Sequence, residues 1–126
     1  MDIFTHAALG WAVSPTPECV AGSILPDVAL LGHRRGLQPP LAYRWTHSIL
    51  FAAAIAPLSP QAALGILTHI ALDIPTHGVK FATQPFYPLA GWHLATATEW
   101  EFWNRTWITA ALLVAFALTY RTIFLS

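Results

Sequence analysis

Ten prolines cut this 126-residue chain into apolar segments that are short for any large fold. Proline has no amide hydrogen and pushes the residue before it toward extended geometry, so helices tend to end or begin there. Between these breaks the pattern predicts five helical segments, residues 3–14, 18–31, 46–56, 61–73 and 101–124. The first two are joined by Ser14-Pro15-Thr16-Pro17 and the next two by Pro57-Leu58-Ser59-Pro60. Each joint places a proline, Pro17 or Pro60, near the first turn of the following helix, where its missing N–H is harmless. Thr5-His6 and Thr46-His47 open the first arms at corresponding places, with threonine expected as N-cap, and Gly22 and Gly65 correspond in the second arms. The expected architecture is all-α and a single domain: a helical hairpin, its weak repeat, and a closing helix.

Composition decides the surroundings of such a bundle. The chain is 56% hydrophobic and only 10% charged, against roughly 25% charged residues in soluble domains. A small integral membrane bundle is therefore expected. Most segments run about 14 residues and rise only about 21 Å, short of the roughly 30 Å hydrocarbon layer. Such helices must thin the bilayer or sit partly in its interface, and only residues 104–124 approach a full span. If both proline joints face one side, Arg34, Arg35, Arg44, Lys80 and Arg105 lie on the other, and only Arg121 stays with the joints. The positive-inside rule makes the five-cation side cytoplasmic, and Tyr43, Trp45, Trp92, Trp100, Trp103 and Trp107 crowd the same boundary as an aromatic belt. Zero net charge argues against nucleic acid as a partner. The lone Cys19 excludes an internal disulfide or a thiolate cluster, and the start of the chain has no basic region of a cleaved leader. Five thin helices bury little surface, which favours association with further copies of the chain.

The polar residues that remain are concentrated. In residues 68–78, Thr-His-Ile-Ala-Leu-Asp-Ile-Pro-Thr-His-Gly, His69 and Asp73 stand four apart and share a helix face. Pro75 is expected to fray the helix after Asp73 and swing His77 back toward them, with Gly78 taking positive φ beyond the end. An isolated His-x-x-x-Asp is more often a helix-end hydrogen bond than a ligand pair. Here the hairpin arrangement also brings His6, Asp27 and His47 to the same end, so six potential ligands from four helices converge. Imidazole and carboxylate suit zinc or a similar borderline cation, and ionisable residues in apolar helices mark function. Four histidines follow threonine, and Thr68, being mid-helix, is a candidate for a bond that orients His69. His33 and His93 read as interfacial residues, and residues 81–99 as a partial lid. Arg44 and Lys80 flank the cluster and either hold a phosphate or anchor the topology.

Taken together, His6, Pro26-Asp27, Arg44-Trp45-Thr46-His47-Ser48, the run from His69 to Asp73, and Thr76-His77-Gly78 resemble the bacterial membrane-bound metal-dependent hydrolase family, the YdjM-like proteins. That family is in turn distantly similar to zinc-dependent phospholipase C. The resemblance runs from the N-terminus to about Trp100 and includes Pro85-Phe86-Tyr87-Pro88-Leu89, while the last helix carries no motif. It implies a helical hydrolase of the bacterial inner membrane with a multinuclear zinc site, reduced from two ions to one if the departures below remove ligands, manganese being the alternative. His47, His69 and Asp73 carry over first, then Asp27 and His77, then His6. The chain departs from the family where Val28 and Ala29 follow Asp27 in place of a second acid, and where Tyr43 stands in place of a histidine.

Two function classes follow. The first is a hydrolase acting on a phosphoester of a lipid or lipid-linked substrate at the cytoplasmic face. Metal-activated water would attack, Asp27 or Asp73 would accept the proton, and Arg44 and Lys80 would offset phosphate charge. An amidase using the same chemistry would have the same residues. The second is a non-enzymatic metal- or lipid-binding membrane module or subunit of a larger assembly, for which a closed tetrahedral site would be diagnostic.

Overall fold

The computed structural model describes residues 3–33, 37–94 and 106–124. The expected positions of Arg34, Arg35, Trp100, Trp103 and Arg105 lie outside these residues. Among the described residues there are six α-helices, α1 Ile3–Val13, α2 Pro17–Ile24, α3 Leu41–Thr46, α4 Ile49–Ile55, α5 Pro60–Thr76 and α6 Thr106–Phe124, with 3-10 turns at Leu25–Leu30 and Val79–Phe81. The all-α class is as expected, and no strand is present among the described residues.

Both proline joints work as the sequence suggests. Thr16 accepts a hydrogen bond from the Cys19 amide at 3.2 Å and Ser59 one from the Ala62 amide at 3.1 Å, each with proline directly inside the helix. Each cap satisfies one of the orphan amides of a helix start. Ser59→Ala is expected to cost about 1 kcal/mol, read as a lowered midpoint of thermal unfolding with an unchanged helical spectrum.

The two hairpins, α1–α2 and α4–α5, cross through α2 and α5. At the crossing the matched glycines face the opposite helix reciprocally: a Cβ on Gly22 would overlap the Ala62 backbone, and one on Gly65 the Cys19 carbonyl. Small residues here let the two backbones touch. A short apolar core of Ala52, Ile66 and Ile70, flanked by Leu25, Phe51, Ile55 and Ile74, fills the space between α4, α5 and the turn after α2. α6 lies along α1, where the Arg121 guanidinium sits 5.0 Å from the Trp11 ring.

Several boundaries differ from expectation. The segment expected at 46–56 is broken at His47–Ser48, and Ser48 rather than Thr46 caps α4 by accepting from the Phe51 amide at 3.2 Å. Thr5 lies inside α1 and is likewise no cap. The helix through His69 does not fray after Asp73 but runs through Pro75 to Thr76. Proline there removes only its own N–H, and the amide of His77, two residues on, bonds the Asp73 carbonyl at 3.0 Å. The turn beyond is made by His77 in extended geometry, and Gly32 is the one described residue with positive φ. No helix among the described residues is long and apolar enough to cross a membrane. α6, expected as the span, has 19 residues and rises about 28 Å, with Arg121 in its last turn.

Candidate metal centre

The end of the bundle opposite the proline joints gathers all six expected ligands. α1 supplies His6 in its first turn, and the 3-10 turn after α2 supplies Asp27. The break between α3 and α4 presents His47, and the last turns of α5 present His69 and Asp73, with His77 just beyond. Asp73, His6, His47 and His69 are all buried, and Asp27 keeps 17% of its side chain exposed.

The geometry centres on the Asp73 carboxylate. Its Oδ2 lies 3.0 Å from His69 Nε2 and 3.3 Å from His47 Nε2, and its Oδ1 lies 3.2 Å from His6 Nε2 and 3.5 Å from His77 Nε2. Asp27 stands slightly farther out, Oδ1 at 3.7 Å from both His47 and His69 Nε2 and Oδ2 at 4.0 Å from His6 Nε2.

The far nitrogens of three of these rings face backbone carbonyls. His69 Nδ1 lies 2.6 Å from the Ser23 oxygen, His47 Nδ1 2.9 Å from the Tyr43 oxygen, and His77 Nδ1 3.0 Å from the Phe81 oxygen. A carbonyl only accepts, so each Nδ1 carries the proton and, in a neutral ring, Nε2 is left as a lone pair. All three lone pairs point inward. Those of His47 and His69 face each other at 3.1 Å, a repulsive contact unless a positive charge lies between them. His6 stacks on His69 with centroids 3.6 Å apart, and neither of its nitrogens has a hydrogen-bond partner. The tautomer that ligates through Nε2 is thus imposed by the backbone, as outer carbonyls do at metal-binding histidines.

Burial alone would push the Asp73 carboxyl up, but the imidazoles of His47, His6 and His69 around it hold it well below the usual carboxylate range. Asp27 is also lowered, its burial outweighed by His47 and by the charges of His69 and His6. Burial pulls His77 down to about 4 and lowers His6, so both rings are neutral near pH 7, as ligands must be.

Atoms held 2.0–2.1 Å from a tetrahedral centre stand about 3.3 Å apart. The distances around Asp73 span that value, and His47, His69 and Asp73, and separately His6, Asp27 and His69, bring their ligand atoms within 4.8 Å of one another. The donor set and its spacing fit a zinc-like ion.

Tyr43, at the place where the resembling family often has histidine, is buried and belongs to the same structure. Its ring stacks on His47 with centroids 3.8 Å apart, and its hydroxyl lies 3.0 Å from both His77 Nδ1 and the Phe81 oxygen. Tyr43 is also one wall of a cavity of about 210 Å³ lined by Gln38, Arg44, Lys80, Gln84 and His93. Arg44 and Lys80 therefore meet at this cavity, and Ala82, Gln84 and His93, from the stretch 81–99 expected as a partial lid, line it with them. His33 sits outside the cluster, edge-on to Phe81. Thr68 bonds its own helix at the Leu64 oxygen, 2.9 Å away, and does not orient His69. Thr46 instead reaches the Pro26 oxygen at 3.0 Å and ties the Asp27 turn to the His47 break.

No protein-family profile, curated protein or solved structure matches the chain, so the likeness to the metal-dependent hydrolases rests on the motifs alone.

Proposed function

We propose that the chain is a membrane-bound, metal-dependent hydrolase of the kind its motifs resemble, cleaving a phosphoester of a lipid or lipid-linked substrate at the cytoplasmic face of a bacterial inner membrane. The observation that carries this reading is the set of carbonyl-held imidazoles whose Nε2 atoms converge on one buried carboxylate. His47, His69 and Asp73 would hold one zinc, and His6 and His77, which also face Asp73, would serve a second. Three protein ligands at each position leave room for substrate or water, as catalytic zinc sites do and closed structural sites do not. When bound, such an ion polarises a phosphoryl oxygen and lowers the pKa of water.

The chain's own residues do the rest. Asp73, fully buried among four histidines, serves as a ligand. Asp27 is farther from the rings and partly exposed. It accepts the proton of the attacking water as the phosphorus–oxygen ester bond breaks, and returns it to the leaving alcohol. Arg44 and Lys80 hold and offset the negative phosphate.

Support for a membrane setting comes from the rim of the cavity. Leu37, Leu41, Trp45, Phe86, Leu89 and Trp92 are exposed on the segments that form its walls, and Leu89 is 80% exposed. Phe86 packs on Trp92 at 5.2 Å and Trp45 on Tyr87 at 5.4 Å, two aromatic pairs on these segments. A border of tryptophan and leucine around a cationic recess suits a membrane interface.

The test is turnover of phosphomonoester and phosphodiester lipids in vesicles by zinc-loaded protein. Asp27→Asn is expected to lower kcat by roughly 10²–10⁴ while the zinc held by His47, His69 and Asp73, a group without Asp27, is retained. Zinc-loaded wild-type protein that cleaves none of these lipids would leave a metal-binding module in place of a hydrolase.

A further inference from the structure

The cavity beside the metal centre carries more chemistry than charge neutralisation needs. Its wall combines the cations Arg44 and Lys80 with Gln38, Gln84 and His93. The Gln84 side-chain oxygen is buried and has no hydrogen-bond partner. A buried amide oxygen left unpaired is costly, and a bound donor would remove that cost. Arginine and lysine together favour a phosphate, arginine by its planar pair of donors and lysine as a point charge. At about 210 Å³ the space is below the roughly 300 Å³ at which pockets begin to take drug-sized ligands, which suits a headgroup.

We propose that this cavity, formed by Arg44, Lys80, Gln84, Gln38 and His93 beside Tyr43, is a recognition subsite for a phosphate that carries hydroxyl groups, a phosphorylated polyol. Arg44 and Lys80 bind the phosphate, and Gln84 accepts a hydrogen bond from a hydroxyl, which selects a polyol phosphate over bare phosphate. Tyr43 separates this subsite from the cluster by the thickness of one ring, its hydroxyl on His77 and its face on His47. A phosphorylated polyol bound here lies next to the reacting centre. That placement rests on the hydrolase reading above, whereas binding at the subsite does not.

The experiment is equilibrium binding of glycerol phosphate and of inorganic phosphate to the full chain, with saturating zinc and again with chelator. Wild type is expected to prefer glycerol phosphate and to bind it equally in both conditions. Arg44→Gln and Lys80→Gln, at side chains reachable from solvent, should each weaken both ligands about tenfold or more. Gln84→Leu should abolish the preference while leaving inorganic phosphate bound. A parallel arm measures retention on phosphatidylcholine vesicles with and without phosphatidylglycerol. Arg44-dependent retention on the anionic vesicles assigns the lipid headgroup as source, and binding of the soluble ligand only assigns a free polyol phosphate. Binding that needs zinc and ignores Arg44 and Lys80, or no binding of either ligand, overturns the subsite. Zinc-independent binding together with absent turnover would retain the subsite and reject the hydrolase.

Discussion

Asp73→Ala is expected to abolish stoichiometric metal binding. Wild-type protein purified without chelator should carry about two zinc ions, by plasma mass spectrometry, and the variant none. The size of the effect follows from where this carboxylate sits. Each of its oxygens lies within 3.5 Å of two imidazole Nε2 atoms, so a single truncation removes a ligand from both positions at once. His69→Ala should empty the position it shares with His47. His6→Ala should lower the content only to about one ion, because His6 faces the other oxygen. Since metal binding is folding free energy where the site forms only in the folded chain, the Asp73 and His69 variants should also lose the rise in melting temperature that added zinc gives the wild type. Wild-type protein that purifies without stoichiometric metal would sink the hydrolase reading and leave the histidines as a packing or proton-holding cluster.

Much of this site could be read before any coordinates were known, and the limits of that reading have physical causes. The prolines at 17 and 60 announced two helix starts and put Gly22 and Gly65 at corresponding places in the second arms, while their reciprocal contact at the α2–α5 crossing emerged only from the structure. The ligand set followed from folding the hairpins so that His6, Asp27, His47 and the His69–His77 stretch share one end. The sequence could not reveal what orients the rings, because the acceptors are the carbonyls of Ser23, Tyr43 and Phe81. Any residue supplies a carbonyl, so no side-chain pattern marks one. The same holds for the break at His47–Ser48, where local pattern favoured one continuous helix and the hydrogen bond from the Ile49 amide to the Pro85 oxygen, 2.8 Å, starts a new one. Tyr43 was visible as a departure from the family pattern, yet its position as shared wall of cluster and cavity is set by Phe81, thirty-eight residues away.

Gly65→Val is expected to be the most destabilising single change outside the metal centre. A first side-chain atom at position 65 meets the Cys19 carbonyl and the Ser23 amide, and one at position 22 meets the Ala62 main chain. These neighbours are helix backbone, which cannot rotate aside as a flexible side chain can. The α2–α5 crossing must therefore widen, and it carries the core around Ile66 as well as the Ser23 carbonyl that fixes His69. Overpacking of a well-filled site costs about 1–3 kcal/mol and occasionally more, and a branched residue against backbone belongs at the upper end. For a domain of this size that lowers the melting temperature by roughly 10 °C. Gly22→Val should behave alike because the contact is reciprocal. Gly91→Ala, whose added carbon meets nothing within 4 Å, should change the midpoint little. Widening the crossing also draws the Ser23 carbonyl away from His69 Nδ1, so Gly65→Ala, the milder variant, should weaken zinc affinity about tenfold or more, within the 10–100-fold range for lost outer partners. A Gly65→Ala protein with wild-type stability and wild-type zinc affinity would show that the crossing and the metal centre are not mechanically joined.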